Sequence, residues 1–302
     1  MKSWFGTIKT AFFIIIALTV APSLLRNLKD TYTELGKVKT KIGRVTIDTV
    51  VVDAEPTVKN LKKLFEDSEI KAILLKIECR GGYPGSCQAI FSEIQELKKE
   101  SPKPIIALVE NMCASGGYYI ACAADRIIAT KGSIIGSIGV TFSTGFNVKE
   151  LAQQHHIQTY TVSSGKYKTV MNPFEAPTPE QLAMLQSVSD DNYQQFVSDV
   201  AKTRKLSPQT KDVWAEGKIF TGQQALELHL IDEIGSYTQA VSYIKTMATI
   251  EGTLEWVEPD QELSLVERLL GRSPGSRRPF VANVIAQAAQ QIRQEIQETA
   301  CL

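Results

Sequence analysis

The strongest constraint on the fold is an alternation that begins near Lys41. Short apolar runs recur, separated by stretches with helical spacing. Residues 45–52 (VTIDTVVV) read as a strand. Val58, Leu61, Leu64 and Phe65 then fall on one helical face. Residues 72–77 (AILLKI) read as a buried strand that breaks at Arg80-Gly81-Gly82. Ile90, Ile94 and Leu97 mark a second helix, residues 104–109 (PIIALV) a further strand, and a third helix follows Ser115. Strands that alternate with helices over short links predict an α/β architecture with a largely parallel sheet.

Residues 178–205 turn strongly helical, opened by Thr178 as N-cap with Pro179 at the first helical position. Residues 221–228 and 238–247 add short helices. Beyond Gly252 the chain becomes polar, and residues 284–299 can form an amphipathic helix that docks a neighbour or a solvated tail. Three segments are expected: 1–30 as a membrane or signal segment, 31–250 as the main domain, and 251–302 as a polar extension.

The charge balance is 33 basic against 33 acidic residues in a chain of 302. A nucleic-acid binder would carry a basic excess, so none is expected as a partner. Five cysteines (Cys79, Cys87, Cys113, Cys122 and Cys301) show no C-x-x-C spacing. They predict neither a disulfide framework nor a zinc site, and read as small buried hydrophobes. No metal or cofactor is expected.

Residues 10–25 carry no charge and lie between Lys9 and Arg26. The run is short for a spanning helix, which takes roughly 17–25 residues, although Trp4, Phe5 and Ile8 extend it if Lys9 snorkels. An uncleaved anchor is preferred over a cleaved signal peptide, because no clean small-x-small site follows. Arg26, Lys29, Lys37 and Lys39 after the run, counted naively, place the main domain in the cytoplasm, a rule that weakens before a long domain.

Three places carry chemistry. In residues 109–117 (VENMCASGG) a hydrophobic strand meets a helix through small residues, which exposes the Ser115 hydroxyl at the end of a sheet near free N–H groups. A helix-capping serine would explain the same pattern. A nucleophilic serine needs a base. His155, His156 and His229 lie in polar helical contexts, which leaves lysine. A lysine acts as a base only when neutral, and its pKa of about 10.4 is brought near 7 by burial away from carboxylates, at about 4 kcal/mol. Residues 162–174 hold Lys166 and Lys168 with no acid before Glu175; two solvated loop lysines are the plain alternative. Finally, the Gly81-Gly82 pair after a buried strand suits an oxyanion hole or a plain turn.

Together these residues resemble the signal peptide peptidase A (SppA) family of membrane-bound serine proteases, in its single-length bacterial form. The likeness runs over residues 46–246. It rests on ASGGYYIACAADRIIATKGSIIGSIGV (114–140), SSGKYKTVMNPF (163–174) and WAEGKIFTGQQALELHLIDEIGS (214–236). The resemblance implies a ClpP/crotonase-like spiral of β-β-α units with an N-terminal membrane-anchor helix and additional C-terminal helices. It makes Ser115 the nucleophile, Lys168 the base in preference to Lys166, and Ser137 the residue that orients the base. It makes the N–H groups of Gly116 and Gly82 the oxyanion donors, and Asp125-Arg126 a structural link. It further implies a homo-oligomeric ring in which neighbouring subunits share Ser and Lys. Expected substrates are cleaved signal peptides and other membrane-associated peptides, bound as extended strands with small or apolar side chains. The expected location is a bacterial inner membrane, crossed once, with the catalytic domain on the periplasmic or extracellular side. The chain departs from the family's strand-end motif, which has Pro where Arg80 stands, and Tyr83-Pro84 is inserted after it. The same fold serves two rival functions, a crotonase-type acyl-CoA enzyme and a non-catalytic membrane scaffold.

Overall fold

The computed structural model describes residues 39–142 and 146–259. The apolar run at 10–25, the stretch at 284–299 and Cys301 lie outside the described residues. Among the described residues no helix is long and apolar enough to cross a membrane.

The first half follows the alternation seen in the sequence. Strand β1 (Lys39–Ile47) leads through helix α1 (Glu55–Glu66) to β2 (Ile70–Cys79). Helix α2 (Pro84–Glu100) then leads to β3 (Ile105–Ala114), and a short helix α3 (Gly116–Ala121) comes next. β1 pairs with β2 and β2 with β3, all parallel. Each middle strand is apolar on both faces. Ile73, Leu75 and Ile77 of β2 enter the main core with Leu61, Phe65 and Ile94 of the helices. Ala72 and Leu74 point the other way, toward Ala240 and Ile244. A strand covered on both faces shows a continuous apolar run rather than an alternating one, which is why AILLKI and PIIALV were legible.

The remainder is more irregular. Two short strands, β4 (Arg126–Ala129) and β5 (Ile134–Gly136), pair in succession along β3. Helix α4 (Lys149–Gln154) precedes the long α5 (Pro179–Arg204), which opens with a capping box between Thr178 and Gln181. A 3-10 turn (Pro208–Thr210) and α6 (Lys211–Trp214) lead to β6 (Ile219–Thr221), antiparallel to β5. The chain continues through α7 (Gly222–Glu227), β7 (Glu233–Ile234), α8 (Tyr237–Met247) and β8 (Thr253–Val257). The main path of the sheet runs β6-β5-β3-β2-β1-β8; off it, β4 pairs with β3, and β7 pairs with β4.

Two expectations are corrected. The first strand is Lys39–Ile47, so residues 48–52 leave the ladder except for a bridge from Val51 to Gly82. Residues 253–257, read as polar extension, form β8 and pair parallel with β1. Most residues of that strand are only half-buried, because it closes an outer edge of the sheet. Asp125 fills the structural role expected of it: its carboxylate accepts from the Ile105 N–H at 2.7 Å and pairs with Lys98 at 2.5 Å.

Candidate active site

Parallel pairing brings the C-terminal ends of β2, β3 and β5 to one edge of the sheet, where ligands of open α/β sheets bind. Gly81-Gly82 follows β2, Ser115 follows β3, and Ser137 follows β5. The sequence separation of these residues is large, and the sheet removes it.

The end of β3 is built with an irregularity. Ile77 pairs with Val109 and Cys79 with Cys113, so Glu110, Asn111 and Met112 stand opposite the single Glu78. The Glu78 carboxylate accepts from the Glu110 and Asn111 N–H groups, each at 3.1 Å. On the other side the Thr130 hydroxyl donates to the Glu110 carbonyl at 2.8 Å. A bulge of this kind bends its strand and re-aims the residues after it, here the Ser115 turn.

Ser115 has φ 50° and ψ −125°, outside the regions that non-glycine residues favour. Such a conformation costs about 1–3 kcal/mol and persists only where the surroundings hold it. The Ser115 N–H donates to the Gly136 carbonyl at 2.7 Å, which ties it to β5. Its hydroxyl makes no capping bond to α3. The capping alternative therefore fails, and the hydroxyl is left facing a cleft of about 540 Å³.

Gly82 and Gly116 line the same cleft. A Cβ on Gly116 would stand 3.0 Å from the Gly82 nitrogen, so the two backbones touch. Val51 accepts from the Tyr83 N–H and donates to the Gly81 carbonyl, while the N–H groups of Gly82 and Gly116 have no partner among the described residues. Two adjacent unpaired donors beside a serine hydroxyl are the elements of an oxyanion hole. The departures at Arg80 and Tyr83-Pro84 leave this pair in place. Arg80 is exposed, and Pro84 becomes the first residue of α2. Ser137 also lines the cleft, at φ 53°, its N–H donating to the Lys218 carbonyl at 2.7 Å.

Lys168 is not brought to this cleft within the chain. It lies exposed in the loop between α4 and α5, and its amine has no partner among the described residues. Lys166 pairs with Glu180 and is likewise absent from the cleft. Among the described residues no Lys, Arg or His lines the cleft, and His155, His156 and His229 are exposed.

Reading the sequence missed the far wall. It comes from α5, through Gln186, Asp190 and Tyr193, and from Glu216-Gly217 before β6. The Tyr193 hydroxyl donates to Glu216 at 2.7 Å, and burial pushes its pKa up to about 12. Tyr119, on α3, stacks on Phe196 with ring centres 4.4 Å apart and donates to Asp199. These residues carry no local motif; they meet only because α5 crosses the end of the sheet. Cys79, Cys87, Cys113 and Cys122 are free and buried, as expected.

The model of peptidase family S49 matches residues 97–251. The chain belongs to this family. A putative protease of Synechocystis is 34% identical over 233 residues, covering 76% of this chain and 83% of the relative. A putative signal peptide peptidase SppA of Enterococcus faecium is 32% identical over 225 residues, covering 70% of this chain and 65% of the relative. Protease 4 of Haemophilus influenzae is 30% identical over 252 residues, but this S49 chain spans only 40% of it. The parallel-rich α/β sheet agrees with the ClpP/crotonase-like fold of S49 peptidases.

Proposed function

We propose that this S49 chain is a membrane-associated serine endopeptidase that uses a Ser-Lys dyad. Ser115 attacks the scissile carbonyl. The N–H groups of Gly82 and Gly116 hold the oxyanion, and Lys168 takes the serine proton, oriented by Ser137. The observation that carries the reading is the strained Ser115, freed from its capping role beside two unpaired amides. Since no cation of the same chain lines the cleft among the described residues, the base comes from a neighbouring copy, as the exposure of Lys168 supports. The homo-oligomer is then part of the active site, and a lone chain is inactive.

The substrates on this reading are cleaved signal peptides and other membrane-associated peptides, laid as extended strands along the sheet end. Residues 10–25 anchor the chain in a bacterial inner membrane, with the catalytic domain on its outer side. An acyl-CoA enzyme would need cations for the phosphates of its substrate, which the cleft wall lacks among the described residues. A scaffold would have no reason to hold a serine at φ 50°.

The test is fluorophosphonate labelling together with peptide cleavage. Ser115→Ala is expected to abolish both, and Lys168→Ala to lower cleavage by at least about 10³-fold, in line with losing a member of a catalytic unit. Cleavage that survives Lys168→Ala removes the lysine from the mechanism. Labelling that survives Ser115→Ala removes the serine.

A further inference from the structure

Cys87 stands out among the buried groups that the mechanism leaves unused. It lies in the first turn of α2, is fully buried, and yet forms part of the floor of the cleft. Its sulfur sits directly beneath both glycines of the oxyanion pair. A Cβ built on Gly116 would stand 2.3 Å from Cys87 Sγ, and one built on Gly82 would stand 2.9 Å from it. The sulfur therefore occupies the space that a side chain at either position would need. Gly82, Gly116 and Cys87 form one contact triangle.

We infer that Cys87 is a positioning residue whose sulfur sets the separation of the Gly82 and Gly116 N–H groups. The inference rests on the oxyanion role proposed above for those two amides. Three properties suit sulfur to the task. Its radius exceeds that of oxygen and its bond to Cβ is longer, so it reaches both glycines from α2. It is a weak acceptor, so it leaves the two N–H groups free for the substrate oxygen. It also carries no charge, because burial, with the neighbouring Cys79 second, pushes the thiol up to about 12. Cys79 shows the contrasting use of a thiol at the same strand end. Its single S–H has the Thr49 and Gly81 carbonyls as acceptors at 3.0 and 3.1 Å, and its Sγ accepts from the Gly81 N–H at 3.3 Å, fixing a loop through hydrogen bonds. Cys87 makes no such bond among the described residues, so contact alone defines its place.

A spacer beneath an oxyanion hole acts on the transition state more than on substrate binding, because the donors must match the oxyanion rather than the ground-state carbonyl. Removing one donor outright costs about 10²–10³ in kcat; a donor that has shifted loses less. In the full-length oligomer, Cys87→Ala is therefore expected to lower kcat roughly tenfold while KM changes less than about twofold. A peptide boronate, whose tetrahedral oxygen occupies the oxyanion position, should lose affinity by the same factor as kcat/KM. Cys87→Ser retains a γ atom with a shorter reach and should fall between Ala and wild type. Rates are taken per site titrated by the fluorophosphonate, so a fraction of misfolded chains does not enter them. Unchanged kcat per titrated site overturns the inference, whether or not the number of sites falls, since Cys87 would then serve folding alone. A rise in KM with kcat unchanged also overturns it. Ser115→Ala serves as the control that separates the two levels: if that variant keeps full turnover, the assignment of Ser115 as nucleophile, and with it the oxyanion role of the two amides, fails first.

Discussion

The strand-end cradle and the Lys168 loop are built on opposite terms. The cradle takes its shape from the sheet. Gly82 is bridged to Val51, Ser115 is tied to Gly136, and Ser137 to Lys218, over a floor of buried side chains. The loop at 155–178 is held by turn bonds of its own, such as Lys168 N–H to Gly165 at 3.1 Å and Asn172 N–H to Thr169 at 2.9 Å. Its side-chain ties to α5 lie at the helix start: Gln181 donates to the Lys166 carbonyl at 2.9 Å, Lys166 pairs with Glu180, and Thr178 shares the capping box with Gln181. It also presents apolar side chains to solvent, with Tyr160 at 86% and Val162 at 100% exposure. The cradle carries its strain because three strands over-determine it. Among the described residues the loop has no such support from the sheet. On the proposed reading a neighbouring copy completes it, and an active site divided in this way would couple chemistry to assembly.

The largest effect expected from this contrast is a recovery. Ser115→Ala and Lys168→Ala homo-oligomers should each be inactive. When the two are dissociated, mixed in equal amounts and reassembled, a site is competent if its serine and its lysine come from intact copies. Random assembly makes that about a quarter of the sites, for a site shared by two neighbours. Cleavage should therefore return to about a quarter of the wild-type rate. Absence of any recovery in verified mixed oligomers would place both groups in one chain and break the contrast.

The cradle was largely legible in the sequence, and the far wall was not. The VENMCASGG and C-R-G-G stretches follow unbroken apolar runs, and such runs announce strands buried on both faces. Ser137 needed more, because nothing local in G-S-I-G separates a cleft serine from a turn; the resemblance supplied it. Gln186, Tyr193 and Glu216 belong to a polar helix face and to a turn, both of which look solvated until α5 is laid across the sheet end. Strand β8 escaped because it closes an edge. Glu78 carries a legible signal: it is an acid at the end of the apolar run AILLKI, and it caps the bulge behind Ser115.

That bulge offers a finer test of how the cradle is held. Glu78→Leu leaves the partly buried Glu110 N–H without an acceptor, at a cost of about 1–3 kcal/mol, while the exposed Asn111 N–H turns to solvent. Ser115 should be mis-aimed, with kcat lowered about tenfold, while Glu78→Gln, whose amide oxygen still accepts, should restore most of it. Equal activity in Glu78→Leu and wild type would mean that the pairing of Ser115 with Gly136 is sufficient by itself.

The smallest effect at neutral pH, and the one confined to the cradle side, concerns proton linkage. Burial pushes the Cys87 and Cys122 thiols up to about 12, and raises Cys79, Cys113 and the Tyr118 hydroxyl as well. Below the ordinary thiol range each of these groups is neutral in the folded and unfolded chain alike, so stability does not depend on them. Above the ordinary thiol value the unfolded chain releases protons that the folded chain keeps. The unfolded state then binds fewer protons, and stability falls as pH rises, by at most about 1.4 kcal/mol per pH unit for each thiol. Melting temperature is thus expected to be nearly level from about pH 7 to 9 and to fall steeply from about 9 to 12. Cys122→Ala, which removes one of the thiols away from the cleft, should make that fall shallower even if it lowers the neutral-pH melting temperature. An alkaline fall unchanged in slope would show that the Cys122 thiol titrates in the native state as it does in the unfolded chain.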